Sequence, residues 1–103
     1  MSTFETAGTA ITGHSVLDPN HHRLGTITDV LYDERGNASW AVVDPGPMRA
    51  EHVVPVEGSY LAASGDVMIP YAKSQVKHSP KVHRDHILGA RVEIELREHY
   101  DVR

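Results

Sequence analysis

Residues 23–44 read RLGTITDVLYDERGNASWAVVD, and this stretch decides the fold. Thr, Val and Ile favour extended backbone, so Leu24 to Tyr32 reads as a long strand. Asp33-Glu34-Arg35-Gly36-Asn37 then reads as a hairpin turn, because Gly36 and Asn37 both tolerate positive φ. Ala38 to Val43 returns as the next strand, with Trp40 and Val42 on one face, and Asp44-Pro45-Gly46-Pro47 stops it.

Working outward, EHVVPVE over 51–57 resumes the pattern, with Pro55 marking a bulge or an edge. Tyr60 to Ala63 and Val67 to Ile69 flank the turn residues Ser64-Gly65-Asp66. On the N-terminal side, Ile11 to Leu17 reads as a short first strand, closed by the turn Asp18-Pro19-Asn20. Closely spaced strands broken by turn residues describe an all-β fold: a small barrel of five or six mostly antiparallel strands. The pattern changes after Pro70, where Ala72 to His78 fits one or two helical turns.

The segment ILGARVEIELREHY, 87–100, supports two readings. Ala90, Val92, Ile94 and Leu96 alternate with charged residues, as in a strand. Leu88, Val92, Leu96 and Tyr100 recur every four residues, and Glu93 to Arg97 is a favourable helix pair.

The pieces LGTITDVLYDERGNASWAVV, VVPV and VKHSP together resemble the PRC-barrel family, over about residues 13–80. Gly25, Asp29, Val30, Asp33 and Gly36 fit its first hairpin. Trp40, Val42 and Val43 fit its second strand, Pro55 its Val-Pro signature, and Val76 and Pro80 its closing segment. REHY at 97–100 resembles the end of a short helix in stand-alone bacterial members, which favours helix for Ala90–His99. The resemblance implies a β-barrel that contacts other macromolecules, as members do in ribosome assembly or photosynthetic complexes.

The chain has 103 residues, which suits one domain. Residues 1–10, rich in Ser, Thr, Gly and Ala, read as a flexible tail, 11–80 as the barrel-like domain, and 81–103 as a C-terminal extension of helical character. The absence of cysteine excludes disulfides, thiolate metal sites and thiol catalysis. A formal charge of −4 argues against a phosphate-backbone partner. Lys73, Lys77 and Lys81 are spaced by four but end in mixed charge, as on a solvated face. No apolar run is long enough to span a bilayer and no secretory signal opens the chain, so the expectation is a cytoplasmic protein without direct membrane insertion.

Histidine is in excess, with eight residues. His83 and His86, three apart, would compose a metal site only with a further ligand such as His78 or Asp85. Ordinary polar surface is the simpler reading, for them and for His21-His22. Asp29, Asp33 and Glu34 would support hydrolysis only if set across a cleft. The turn role of Asp33 explains it without chemistry. No serine sits in a nucleophile elbow and no glycine cluster forms a phosphate loop.

The expectation is therefore a non-catalytic interaction or assembly module, with no cofactor, metal or catalytic residue. The alternatives are a small-molecule or metal-binding sensor, or a hydrolase using the hairpin acids. Strict alternation puts Ile27 and Leu31 on one face of the long strand and Leu24, Val30 and Tyr32 on the other. One small barrel interior takes only one face. Val92, Leu96 and Tyr100 would cover part of the second, and a partner subunit the rest, which predicts a homodimer. Leu24, Val30, Tyr32, Trp40, Val92, Leu96 and Tyr100 are thus the candidate core or interaction residues, and the partner classes are a second copy and another protein.

Overall fold

The computed structural model describes residues 11–33, 35–82 and 87–102. The tail read over 1–10 and the residues Glu34, His83, Asp85 and His86 lie outside these. Six strands form one sheet: β1 (Ser15–Leu17), β2 (Arg23–Tyr32), β3 (Ala38–Asp44), β4 (His52–Pro55), β5 (Tyr60–Leu61) and β6 (Val67–Met68). Two helices follow, α1 (Lys73–Lys77) and α2 (Ala90–Tyr100). The strand order is β4-β3-β2-β1-β6-β5. β1 and β6 run parallel and the other neighbours antiparallel. Among the described residues no pairing joins β4 to β5, so the mixed sheet curls around its core without closing.

The β2–β3 hairpin forms as its sequence dictates. Asp33 Oδ1 accepts the backbone N–H groups of Arg35 and Asn37 at 2.8 and 2.9 Å. Gly36 supplies φ +84°, and its N–H closes onto Asp33 O at 3.0 Å. At Gly25 the strands press so close that a Cβ would run into the backbone carbonyl of Asp44. Only glycine fits there.

The two-faced reading of β2 is corrected. Leu24, Ile27 and Val30 are all buried in one core. The cause is irregular register. Leu24 is skipped in the ladder with β1, where Gly25 faces Val16 and Arg23 faces Leu17. Thr28 is skipped in the ladder with β3, where Ile27 faces Val43 and Asp29 faces Val42. Each bulge inserts one residue, so a spacing of three keeps a side chain on the same side. β3 also departs from simple alternation. Trp40, Ala41, Val42 and Val43 are all buried, so this strand is covered on both faces.

The strand expected over Ile11–Leu17 is only three residues long, and Ile11 enters the core from the turn before it. The ambiguous C-terminal segment is helix from Ala90 to Tyr100, whereas 81–82 and 87–89, expected to share the helical character of the extension, are not helical. Leu96 and Tyr100 are buried and Val92 packs against the same core. The helix stops at Asp101, whose φ is +56°. The Val102 N–H then donates to Arg97 O at 2.9 Å. The Leu96–Tyr100 face therefore belongs to the core of one chain and is not a surface awaiting a subunit.

α2 is clipped to α1 and to β4. Gln75 Nε2 donates to His99 O at 3.2 Å, and His99 Nε2 donates to Gln75 O at 2.6 Å. The Tyr100 hydroxyl donates to Val53 O at 2.8 Å, and its ring meets Tyr71 edge-on at 4.9 Å. Burial pushes the Tyr100 hydroxyl up to about 12, against a lowering bond from Ser79 and with a small upward push from Tyr71. At the opposite end of α1, the buried Asp18 carboxylate receives the backbone N–H groups of Asn20, His22 and Lys73 and the ring of His22. Burial pushes this carboxyl up, but those bonds outweigh it and hold it at about 2. One buried side chain thus fixes both the 18–22 turn and the start of α1.

Candidate interaction cleft

A cleft of about 690 Å³ lies between the first hairpin and α2. Leu31, Tyr32 and Arg35 come from the hairpin side, Leu88 and Arg97 from the C-terminal side, and Trp40 from β3. A second depression of about 520 Å³ continues past Arg97, with Pro55, Gly58, Tyr60 and Val102 along it. Asp33, Ser39, Trp40 and Arg97 line both. Arg97 is the one of these four that α2 contributes. It bonds Glu93 Oε2 at 2.8 Å, the helix pair that the sequence spacing predicts. Its guanidinium carbon stands 6.0 Å from the centre of the Trp40 ring, the outer limit of a cation–π contact.

The sequence-derived residues divide. Leu24, Val30, Leu96 and Tyr100 are core, and Val92 is half-buried against it. Tyr32 is 47% exposed, which leaves its ring available in the cleft. Trp40 is only 3% exposed, so it is a supporting wall and not a platform for a ligand. Among the described residues its Nε1 has no hydrogen-bond partner, and neither does His52 Nδ1. Burial pushes the His52 ring down, helped by the positive charges of Lys81 and Lys77.

The hairpin acids are occupied structurally. Asp33 holds its own turn, and the backbone bond from Asn37 leads in lowering its carboxyl. Asp29 Oδ1 accepts the Val30 N–H at 2.8 Å. The His78 ring is bonded to Ser74 O at 2.7 Å. His83, Asp85 and His86 lie outside the described residues. Among the described residues no three His, Asp or Glu side chains gather as a metal site.

Two residues carry more than their sequence context announced. Asp18 reads as a turn former, but its bond to Lys73, 55 positions away, is a product of topology. Arg97 reads as half of a surface ion pair, and its place over Trp40 follows only from how α2 docks. No helix among the described residues is long and apolar enough to cross a membrane.

No family model matches the chain, and no curated protein matches it. Among solved structures, it is similar to a putative 16S ribosomal RNA processing protein, RimM, from Pseudomonas aeruginosa. That match has a TM-score of 0.50 at 20% identity, covering 64% of this chain and 43% of the other. The chain thus spans less than half of that protein's length. At this identity the likeness concerns the fold alone, and it supports the PRC-type barrel that the hairpin sequence resembles.

Proposed function

We propose that the chain is a non-catalytic assembly module that holds a protein segment in the cleft between the first hairpin and α2. The observation that carries this reading is the make-up of the cleft. Apolar side chains, Leu31 and Leu88, and the half-exposed Tyr32 line it beside charges of both signs, Asp33, Arg35, Glu93 and Arg97. Apolar and charged side chains mixed along one open cleft suit a protein surface, where aromatic, apolar and arginine contacts lie among polar ones. A catalytic site gathers pKa-shifted groups into one recess. Here the shifted groups are dispersed. Asp18, His52, Tyr71 and Tyr100 all lie outside the cleft lining, and Asp33 is shifted by its own turn. The RimM-like fold is compatible with assembly work, since the matched protein is described as a ribosomal RNA processing protein.

A photo-crosslinking residue in place of Tyr32, compared in cells with one in place of the exposed Asn20, tests the proposal. The expected result is one protein adduct specific to position 32 and weakened by Arg35→Glu. Equal labelling from both positions, or no adduct from either, overturns the proposal. So does reproducible turnover of a small molecule that Asp33→Ala abolishes.

A further inference from the structure

The outward side of α2 carries a pattern that its packing does not explain. Leu96 and Tyr100 face the core, and Val92, Glu93, Arg97 and His99 are half-buried at its margins. That leaves Ala90, Arg91, Ile94, Glu95 and Glu98 exposed on one arc. Ile94 is 56% exposed, and its arc is flanked by charges that have no partner among the described residues. Glu93 and Arg97, which line the cleft, stand on the neighbouring side of the helix.

We infer that this arc is a two-fold contact between copies of the chain, made by antiparallel pairing of α2 with α2 of a second copy. The inference is independent of the proposed use of the cleft. Helix geometry supplies the warrant. Arg91 lies about 4.5 Å before Ile94 along the axis and Glu98 about 6 Å after it. At about 100° per residue, both sit on the same flank of Ile94, some 40–60° round the helix. A two-fold axis beside Ile94 reverses the direction of the partner helix. It places Glu98 of the second copy opposite Arg91, offset by only about 1.5 Å along the axis. The same operation places Arg91 of the second copy opposite Glu98. Ile94 then meets its own symmetry mate, and the small Ala90 lets the helices approach. Arg91 and Glu98 make the face complementary to itself, as an isologous contact requires, while Glu95, about 100° round from Ile94, points away from the partner helix. Parallel pairing about the same residue would put Arg91 and Glu98 of the two copies on opposite flanks and form no such pair.

Two short helices bury less than a standard interface, so the expected dimer is weak and forms at micromolar concentration. Sedimentation equilibrium over a micromolar series measures it. Arg91→Glu and Glu98→Arg should each weaken association about tenfold, since each turns two attractive pairs into repulsive ones. The double variant Arg91→Glu/Glu98→Arg should restore it. Ile94→Asp should abolish it and leave the circular dichroism spectrum unchanged, because the side chain is exposed. Tyr32→Ala, in the cleft, should leave association unchanged. A monomer near 11.4 kDa at every concentration overturns the inference. A dimer indifferent to Ile94→Asp, or a double variant no better than the single ones, overturns it equally.

Discussion

The two edges of the sheet are finished by different means. On β4, the Val56 N–H reaches back to Ser39 O at 3.0 Å. By strand alternation, Val53 and Pro55 therefore turn their backbone groups away from β3. The Val53 carbonyl is taken by the Tyr100 hydroxyl, and Pro55 has no N–H to offer. This edge is long enough to recruit another strand, and α2 and a proline seal it. The opposite edge, β5, is two residues long, and Tyr60 and Leu61 are 54% and 40% exposed. Nothing among the described strands covers its outer side, and its shortness is the protection. One edge is thus closed by tertiary structure and the other by brevity, so substitutions at the two should differ widely in consequence.

The largest effect is expected at the sealed edge. Tyr100→Ala removes a buried ring, its edge-on contact with Tyr71 and the bond to Val53 O. It should destabilise the fold by about 3–5 kcal/mol. Tyr100→Phe keeps the ring and strips the cap, which should cost about 1–2 kcal/mol by leaving a carbonyl unpaired. Urea denaturation measures both. If the phenylalanine variant equals wild type, the hydroxyl does not seal this edge and the contrast between the edges fails.

The pH dependence sharpens the same contrast, because Asp18, His52 and Tyr100, whose ionisation is shifted, lie in the turn that anchors α1, on β4 and on α2. Tyr100 is held at about 12, above its ordinary value of 10.0. Its contribution is complete below pH 10 and disappears as pH rises from there through 12. His52 is depressed from 6.5, so part of the stability present above that pH is lost as pH falls through its lowered folded value. Asp18, lowered from 3.8 to about 2, contributes fully above about pH 4 and ceases to contribute as pH falls through 2. Thermal melts across this range should therefore decline at both extremes. Tyr100→Phe should remove the alkaline loss, and Asp18→Asn should flatten the step between pH 4 and 2. If neither variant changes the profile, these groups are not where protons couple to folding.

This comparison also shows where the sequence was legible. The hairpin was, because Asp33, Gly36 and Asn37 act within five residues and their chemistry fixes the turn. α2 is legible from its period of four together with REHY at 97–100. The failures are all long-range. The side-chain period of β2 misled because bulges at Leu24 and Thr28 depend on the neighbouring strands' register. The parallel pairing of β1 with β6, Val16 opposite Val67, has no local signal. Tyr100 was recognisable as apolar-periodic, but its carbonyl partner lies 47 positions away. At the cleft, Tyr32 and Trp40 stood out as aromatic residues. Arg97 is legible only as the partner of Glu93 one turn back, and its place in the lining of both depressions comes from the docking of α2.

The smallest effect is expected at the short edge, and it tests whether brevity suffices. Leu61 is 40% exposed and pairs only with Val67 of β6. Replacing it with lysine removes little buried apolar area and puts a charge on an edge where charge discourages strand pairing. The Leu61→Lys change in stability should stay within about 0.5 kcal/mol, as for surface substitutions generally. Aggregation on prolonged incubation should be no greater than in wild type. A loss above about 2 kcal/mol would mean that Leu61 is packed as Tyr100 is, and the two edges would then be closed in the same way. A clear fall in aggregation, with stability unchanged, would show that two exposed residues are enough to recruit another chain and that shortness alone does not protect this edge.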